Sequence, residues 1–182
     1  VKDREFRNLI TWMYLKTTRN GASFSEYKKF IEQNEDYPRI NRIRYLAEEK
    51  IYLRNNSPTS VINWFEKFPP LGGLGKIKLA EAYLEQNQTG KVRELVKDGW
   101  ITASIRKNDL GYYKAKFKKF IDSDDHIKRA DYLAWERKYW DLKRMLKYLP
   151  KDERALYNAR QILMSNSYGV DNAIAKVPAH LK

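Results

Sequence analysis

Residues 125–150 read DHIKRADYLAWERKYWDLKRMLKYLP and carry the signals of a helical hairpin. Asp125-His126 suits a helix start, the following Ala-Asp-Tyr-Leu-x-Trp segment continues that helix to a turn, and Pro150 ends a second amphipathic helix. Two amphipathic helices cannot bury their apolar faces alone and have to stack on neighbours. Because similar units occur earlier in the chain, the sequence predicts an all-α fold, an α-superhelix or solenoid of irregular tetratricopeptide-like helix pairs.

Apolar residues at helical spacing predict further helices along the chain. The longer ones cover residues 3–19, 38–54, 58–68, 109–121 and 152–164. Shorter helices are expected after a cap at Ser23 or Ser25, after the glycines at 72, 73 and 75, after Thr89-Gly90, and over 170–177. In the first helix, an apolar face is formed by Phe6, Leu9, Ile10, Met13 and Tyr14. No linker or low-complexity segment interrupts these elements, so we expect a single scaffold domain over residues 1–182.

The pairs Leu53/Trp64, Leu84/Leu95 and Trp135/Leu146 have the same separation across a turn, which predicts a common register for the helix pairs. In this register, Trp135 packs between two helices opposite Leu146. The core aromatic residues are expected to be Trp64, Tyr83, Phe117 and Trp135, whereas Trp100, Tyr112, Tyr139 and Trp140 lie nearer turns.

The composition restricts the chemistry. The chain has 182 residues, a formal net charge of +13 and no cysteine, which excludes disulfides and thiolate metal sites. The positive charge has two interpretations: a general lysine-rich composition, or attraction to a polyanion such as nucleic acid, anionic lipid or cell-wall carboxylates. No apolar run is long enough to span a membrane. The chain does not start with Met, which is compatible with a removed signal peptide.

Few residues suggest catalysis or metal binding. His126 and His180 have no partner at metal-ligand spacing, and His126 suits a local capping or surface role in a first helical turn. Glu81 and Glu85 lie one turn apart and are expected on a solvated helix face. The acidic cluster at 122–125 lacks the glycine and glutamate of a calcium loop and predicts helix capping. We therefore expect no catalytic residue, no metal and no cofactor in this chain.

The densest basic patch is formed by Lys114, Lys116, Lys118 and Lys119. Lys114 and Lys118 share a helix face that points away from Phe117. The simplest interpretation is a solvated face; the functional one is a binding strip, with Lys114 and Lys118 as its binding residues.

Several segments together resemble one family. They are FSEYKKFIEQNEDYPRINRIRYLAEEKI at 24–51, SPTSVINWFEKFPPLGGLGKIKLAEAYLEQNQTGKVRELVKDGW at 57–100, the hairpin at 125–150, ALYNAR at 155–160 and YGVDNAIAKVP at 168–178. In this order they are similar to the N-terminal helical region of soluble lytic murein transglycosylases, closest to the shorter bacterial members. The most specific part is Asp125-His126, Arg129, Asp131, Leu133 and Trp135.

The resemblance implies a U-shaped or ring-forming superhelix that carries a lysozyme-like catalytic domain. Such enzymes cleave peptidoglycan glycan strands to 1,6-anhydromuramyl products with one glutamate, which stands in a Glu-Ser motif. This chain contains no Glu-Ser dipeptide. The catalytic domain is therefore expected C-terminal to residue 182, and no catalytic residue carries over.

The expected role is that of a non-catalytic periplasmic scaffold. Its partners would be peptidoglycan glycan strands, its own catalytic domain and cell-wall proteins. Two alternatives from other classes stay open: a tetratricopeptide-like adaptor for a protein partner, and, less favoured, a basic helical protein that binds nucleic acid. Nucleic-acid binding would weaken steeply with salt through counterion release.

Overall fold

The computed structural model describes residues 3–182. Within this part of the chain, the regular structure consists of eleven α-helices and three short 3₁₀ turns, with no strand, so the predicted all-α class is confirmed. Contacts divide the chain into two compact units, Val1–Leu95 and Val96–Lys182, which are considered separately below. The expectation of a single domain over 1–182 stays a prediction. No helix in the described range is long and apolar enough to cross a membrane.

The first unit contains five complete helices. They are α1 (Arg4–Leu15), α2 (Phe24–Gln33), α3 (Ile40–Glu48), α4 (Pro58–Lys67) and α5 (Gly73–Glu85), followed by a 3₁₀ turn at Thr89–Lys91 and by α6 (Val92–Thr102), in which the division between the units falls. Neighbouring helices pack in pairs, with α4 against α5 and α2 against α3. The core contains Tyr27, Phe30, Ile31, Ile43, Leu46, Ile51, Trp64, Phe65 and Ile77.

Side-chain caps fix the helix ends as the sequence indicated. Ser23 caps α2 in a reciprocal capping box with Glu26, and Ser57 followed by Pro58 caps α4. The first helix ends at Leu15, earlier than predicted, because the Asn20 amide donates hydrogen bonds to the carbonyl oxygens of residues 14, 15 and 17. These bonds satisfy the carbonyls that a longer helix would have paired.

Two predictions in this unit were wrong. The glycines at 72–75 do not form a loop before a helix, because α5 already begins at Gly73. Glu81 does not lie on a solvated face: its side chain is buried, as is that of Lys78, whose Nζ lies 4.0 Å from the centre of the Tyr52 ring. The helix α5 is covered by neighbours on more than one side, so its periodicity did not separate an inner from an outer face.

The second unit contains the predicted hairpin. Its helices are α7 (Lys107–Lys116), α8 (Ser123–Trp135), α9 (Tyr139–Met145) with a 3₁₀ turn at Leu146–Tyr148, α10 (Lys151–Met164) and α11 (Val170–Ala175), with a last 3₁₀ turn at Ala179–Leu181. Helices α8 and α9 pack on each other and both contact α10. The core includes Trp100, Leu110, Tyr113, Phe117, Leu133, Leu142, Met145 and Tyr157.

The register assigned to Trp135 was wrong. Its side chain is 75% exposed, whereas Ala130, Leu133 and Ala134 are buried. Trp135 is the last residue of α8 and follows Ala134 by about 100° around the helix, which turns it off the buried face. Trp100, by contrast, is 0% exposed and belongs to the core, although the sequence placed it near a turn.

Candidate functional site

The start of α8 is fixed by a network of acidic residues and one lysine. Asp122 caps the helix and forms a reciprocal capping box with Asp125, as the acidic cluster predicted. The Lys97 ammonium lies 3.0 Å from Asp122 and 3.1 Å from the buried carboxylate of Asp125. The hydrogen bond from Lys97, with that of the Asp125 backbone, lowers the pKa of Asp122 to about 2, so this carboxylate stays charged and paired.

One turn further along α8, the buried Arg129 connects α8 to α6. Its guanidinium donates a hydrogen bond to the Trp100 carbonyl oxygen, and its Cζ lies 5.1 Å from the centre of the Trp100 ring. Burial lowers the pKa of Arg129 to about 10, which still leaves it charged at neutral pH. Asp125 and Arg129, two of the residues that carry the family resemblance, therefore stabilise the helix packing.

A groove of about 570 Å³ lies beside this network, and both lysines singled out in the sequence line it. Lys114 comes from α7 and Lys118 from the turn that follows it, His126 from the first part of α8, and Tyr148 from the 3₁₀ turn after α9. The helix predicted over 109–121 ends earlier, at Lys116, so Lys118 does not lie on a helix face with Lys114. The Lys114 Nζ lies 4.6 Å from the centre of the Tyr148 ring. The lysines thus belong to a concave surface with an aromatic wall, and this groove is the candidate site.

Positive charge dominates the groove. Asp122 is the acidic residue of its lining, and its charge is already paired with Lys97. Lys114 and Lys118 then leave an excess of positive charge in the lining of the groove. A concave surface with two ammonium groups and an aromatic ring suits an anionic group attached to a larger molecule, such as a carboxylate or a phosphate.

His126 forms the inner wall of the groove. Its ring lies between those of Trp100 and Tyr148, with centroid distances of 5.6 and 5.8 Å. Burial, together with the nearby charge of Lys114, lowers the pKa of His126, so the imidazole is neutral at pH 7. Its Nδ1 atom is buried without a hydrogen-bond partner. The role expected from the sequence, local capping or surface, was therefore incomplete, because His126 packs between two aromatic rings.

The sequence missed Tyr148 and the groove itself. Tyr148 lies far from Lys114 in sequence, and only the fold of the α8–α9 hairpin brings the two together. Lys116, which belongs to the same basic patch, does not line the groove, and its ammonium lies 3.0 Å from the Tyr112 hydroxyl.

Comparisons with known proteins add no assignment. No family model matches the chain, and no curated protein or solved structure matches it either. Within residues 3–182, no group of three or more histidine, cysteine, aspartate or glutamate side chains is placed to hold a metal ion.

Proposed function

We propose that this chain is the non-catalytic superhelical scaffold region of a periplasmic soluble lytic murein transglycosylase. In this proposal it holds peptidoglycan for a lysozyme-like domain, C-terminal to residue 182, that cleaves glycan strands to 1,6-anhydromuramyl products. The groove of Lys114, Lys118, His126 and Tyr148 would bind the carboxylates of the stem peptides.

One observation carries the proposal: the two lysines line the same concave surface as an aromatic ring, and the Lys114 ammonium lies 4.6 Å from the centre of that ring. Stem peptides end in carboxylates and are attached to sugar rings, so they offer both an anion and an apolar surface. Each exposed ammonium–carboxylate contact contributes about 0–1 kcal/mol. Because the wall is a polymer, many weak contacts would still retain the protein by multivalency.

The residues that carry the resemblance support a scaffold role. Asp125 and Arg129 hold α8 in place through the capping box and the bond to Trp100. Groups used in this way position helices and are not free to act on a substrate. The purified chain is therefore expected to release no anhydromuropeptides from murein sacculi beyond a boiled control.

Co-sedimentation with sacculi tests the proposal. The wild-type chain should pellet with sacculi at low salt and less so at high salt, because salt screens exposed charges. The variant Lys114→Glu/Lys118→Glu should stay in the supernatant. A matched control is Lys107→Glu/Lys119→Glu, which makes the same change in net charge at two exposed residues of the same unit outside the groove. The proposal fails if wild type does not pellet at low salt, or if both double variants pellet equally.

A tetratricopeptide-like adaptor is the second candidate, and the face of α1 favours it. Five large side chains at i, i+3, i+4, i+7 and i+8 are each at least 42% exposed on this helix: Phe6, Leu9, Ile10, Met13 and Tyr14. A helix of a partner protein would cover such a face. Mutation of Leu9 and Met13 to Asp should abolish partner binding under this candidate and leave sedimentation with sacculi unchanged under the first.

A further inference from the structure

A second concave surface in the Val96–Lys182 unit is separate from the lysine groove. It has a volume of about 530 Å³ and is lined mainly by Ile101, Ile127, Tyr132 and Trp135, with Asp131 and Tyr157 at its polar side. Trp135 is 75% exposed, an unusual position for the largest apolar side chain. An aromatic ring that is exposed and also held in place is a feature of ligand-binding surfaces.

Contacts from α10 hold the Trp135 ring. The Arg160 guanidinium lies over it, with Cζ 5.4 Å from the ring centre, and over Tyr157 at 5.3 Å. Arg160 is fixed in turn by an ion pair of 2.6 Å with Asp131 Oδ1. Since Arg160 takes one side of the ring, the rest of the ring is presented to solvent.

Asp131 supplies a hydrogen-bond acceptor beside this ring. Its Oδ1 receives bonds from Arg160 and from the Tyr157 hydroxyl, at 2.6 and 3.3 Å. The side chain is 44% exposed and lines the groove. Burial raises the pKa of Tyr157 to about 12, so its hydroxyl keeps its proton and continues to orient the carboxylate.

This arrangement favours one class of ligand. A flat apolar ring beside a fixed carboxylate matches a pyranose, which has an apolar C–H face and hydroxyl or amide donors around its edge. The charge of Asp131 is paired with that of Arg160, so a neutral sugar meets a compensated carboxylate here.

We infer that Trp135, Asp131 and Arg160 form a binding site for a neutral N-acetylated saccharide, with Trp135 as the stacking platform and Asp131 as the acceptor of sugar hydroxyl or amide protons. The inference rests on the proposed function in assigning the sugar to the glycan strand of peptidoglycan. The two grooves would then bind different parts of the polymer: the Trp135 groove binds the sugar backbone, and the lysine groove binds the peptide carboxylates.

The test uses the whole chain and a tetramer of N-acetylglucosamine, a neutral ligand without stem peptides. The indole N–H signals are followed by NMR during titration, with the Trp135 signal identified by its absence from Trp135→Leu. We expect this signal to shift on addition of the tetramer, at low and at high salt alike. Trp135→Leu should weaken binding about tenfold or more, a size typical of the loss of one aromatic stacking partner.

Matched variants make the result specific. Trp140 is 65% exposed in the same unit but does not line the groove, so Trp140→Leu should bind the tetramer as wild type does. Asp131→Ala should weaken binding in the same way as Trp135→Leu, with circular dichroism verifying the fold. The inference is overturned if the Trp135 signal does not move, if both tryptophan variants bind equally well, or if a single-stranded oligonucleotide moves this signal where the sugar does not.

Failure of the proposed function gives a different pattern. If wild type binds the tetramer through Trp135 but does not pellet with sacculi, the saccharide site stands and the murein assignment fails. If wild type pellets in a manner that depends on Lys114 and Lys118 while the tetramer moves no indole signal, the murein scaffold stands and the saccharide site fails.

Discussion

The carboxylate of Glu48 occupies the space that a side chain on residue 75 would need. A Cβ built on Gly75 would lie 2.5 Å from Cδ of Glu48, which is buried at the end of α3. The carboxylate accepts hydrogen bonds from the N–H groups of Leu71 and Gly72, at 2.6 and 3.2 Å. Glu48 thereby pairs backbone N–H groups at the start of α5, and the lack of a side chain at Gly75 leaves room for its carboxylate.

Gly75→Ala should therefore destabilise the first unit, although alanine is the better helix former by about 1 kcal/mol. The added methyl forces the carboxylate out of its place, and overpacking of this kind costs about 1–3 kcal/mol. The N–H groups left unpaired add a similar amount. We predict a net loss of about 2–4 kcal/mol in urea denaturation. Gly90→Ala, with no atom within 4 Å of the new Cβ, is the control and should change stability by less than about 1 kcal/mol. Equal stability of the two variants would contradict this.

Stability should also depend on pH through Glu48. Burial raises the pKa of Glu48 from 4.5 to about 7, against the hydrogen bonds from Leu71 and Gly72, which lower it. Between these two values the folded chain holds a proton that the unfolded chain has released. The free energy of unfolding contributed by Glu48 therefore falls as pH rises from about 4.5 to about 7, by about 3 kcal/mol in total.

The comparison with Glu48→Gln isolates this contribution, because His126 also makes stability depend on pH, with the opposite sign. Its lowered pKa makes stability rise with pH, in wild type and variant alike. The difference in unfolding free energy between wild type and Glu48→Gln should change between pH 4.5 and 7. A difference that is constant over this range would show that Glu48 has an ordinary pKa.

The sequence predicted most helices because their ends carry local signals. Ser57 acts as the predicted cap, and Ser23 and Asp122 are caps from among the candidates predicted at Ser23 or Ser25 and at 122–125. Such bonds join residues three apart, so short-range pattern is enough to find them. Lys114 and Lys118 do line one groove, but not on the predicted helix face, because α7 ends at Lys116 and Lys118 lies in the turn after it.

The features that the sequence did not predict depend on contacts between segments that are distant in sequence. Nothing local shows that Glu48 caps α5, or that Tyr148 faces Lys114, because each pair is brought together by the packing of helices. The prediction for Trp135 was wrong for another reason. Trp135 is apolar like the core residues of α8, but as the last residue of the helix it does not fall on the buried face.

Asp125 should contribute much more to stability than its neighbour Asp124. Asp125 is 1% exposed, accepts the Asp122 N–H and pairs with Lys97, whereas Asp124 is exposed. Asp125→Ala removes half of a capping box and the buried partner of Lys97, which keeps its pair with Asp122, and the loss should be about 1–3 kcal/mol. Asp124→Ala loses only a favourable charge in the first turn, about 0.5 kcal/mol. Thermal unfolding of both variants, followed by circular dichroism, would contradict this assignment if the two melted together.

Two tryptophans of the second unit give the sharpest contrast between the sequence-based register and the structure. Trp100 is 0% exposed and packs on Arg129 and His126, so Trp100→Ala creates a large cavity and should cost about 3–5 kcal/mol. Trp135 is 75% exposed, and Trp135→Ala should cost less than about 1 kcal/mol, mainly through the lost contact with Arg160. Urea denaturation followed by far-UV circular dichroism measures both, since the signal does not depend on which tryptophan is removed. If Trp135→Ala proved as destabilising as Trp100→Ala, Trp135 would be a core residue after all, and the saccharide platform inferred for it would lose its exposed ring.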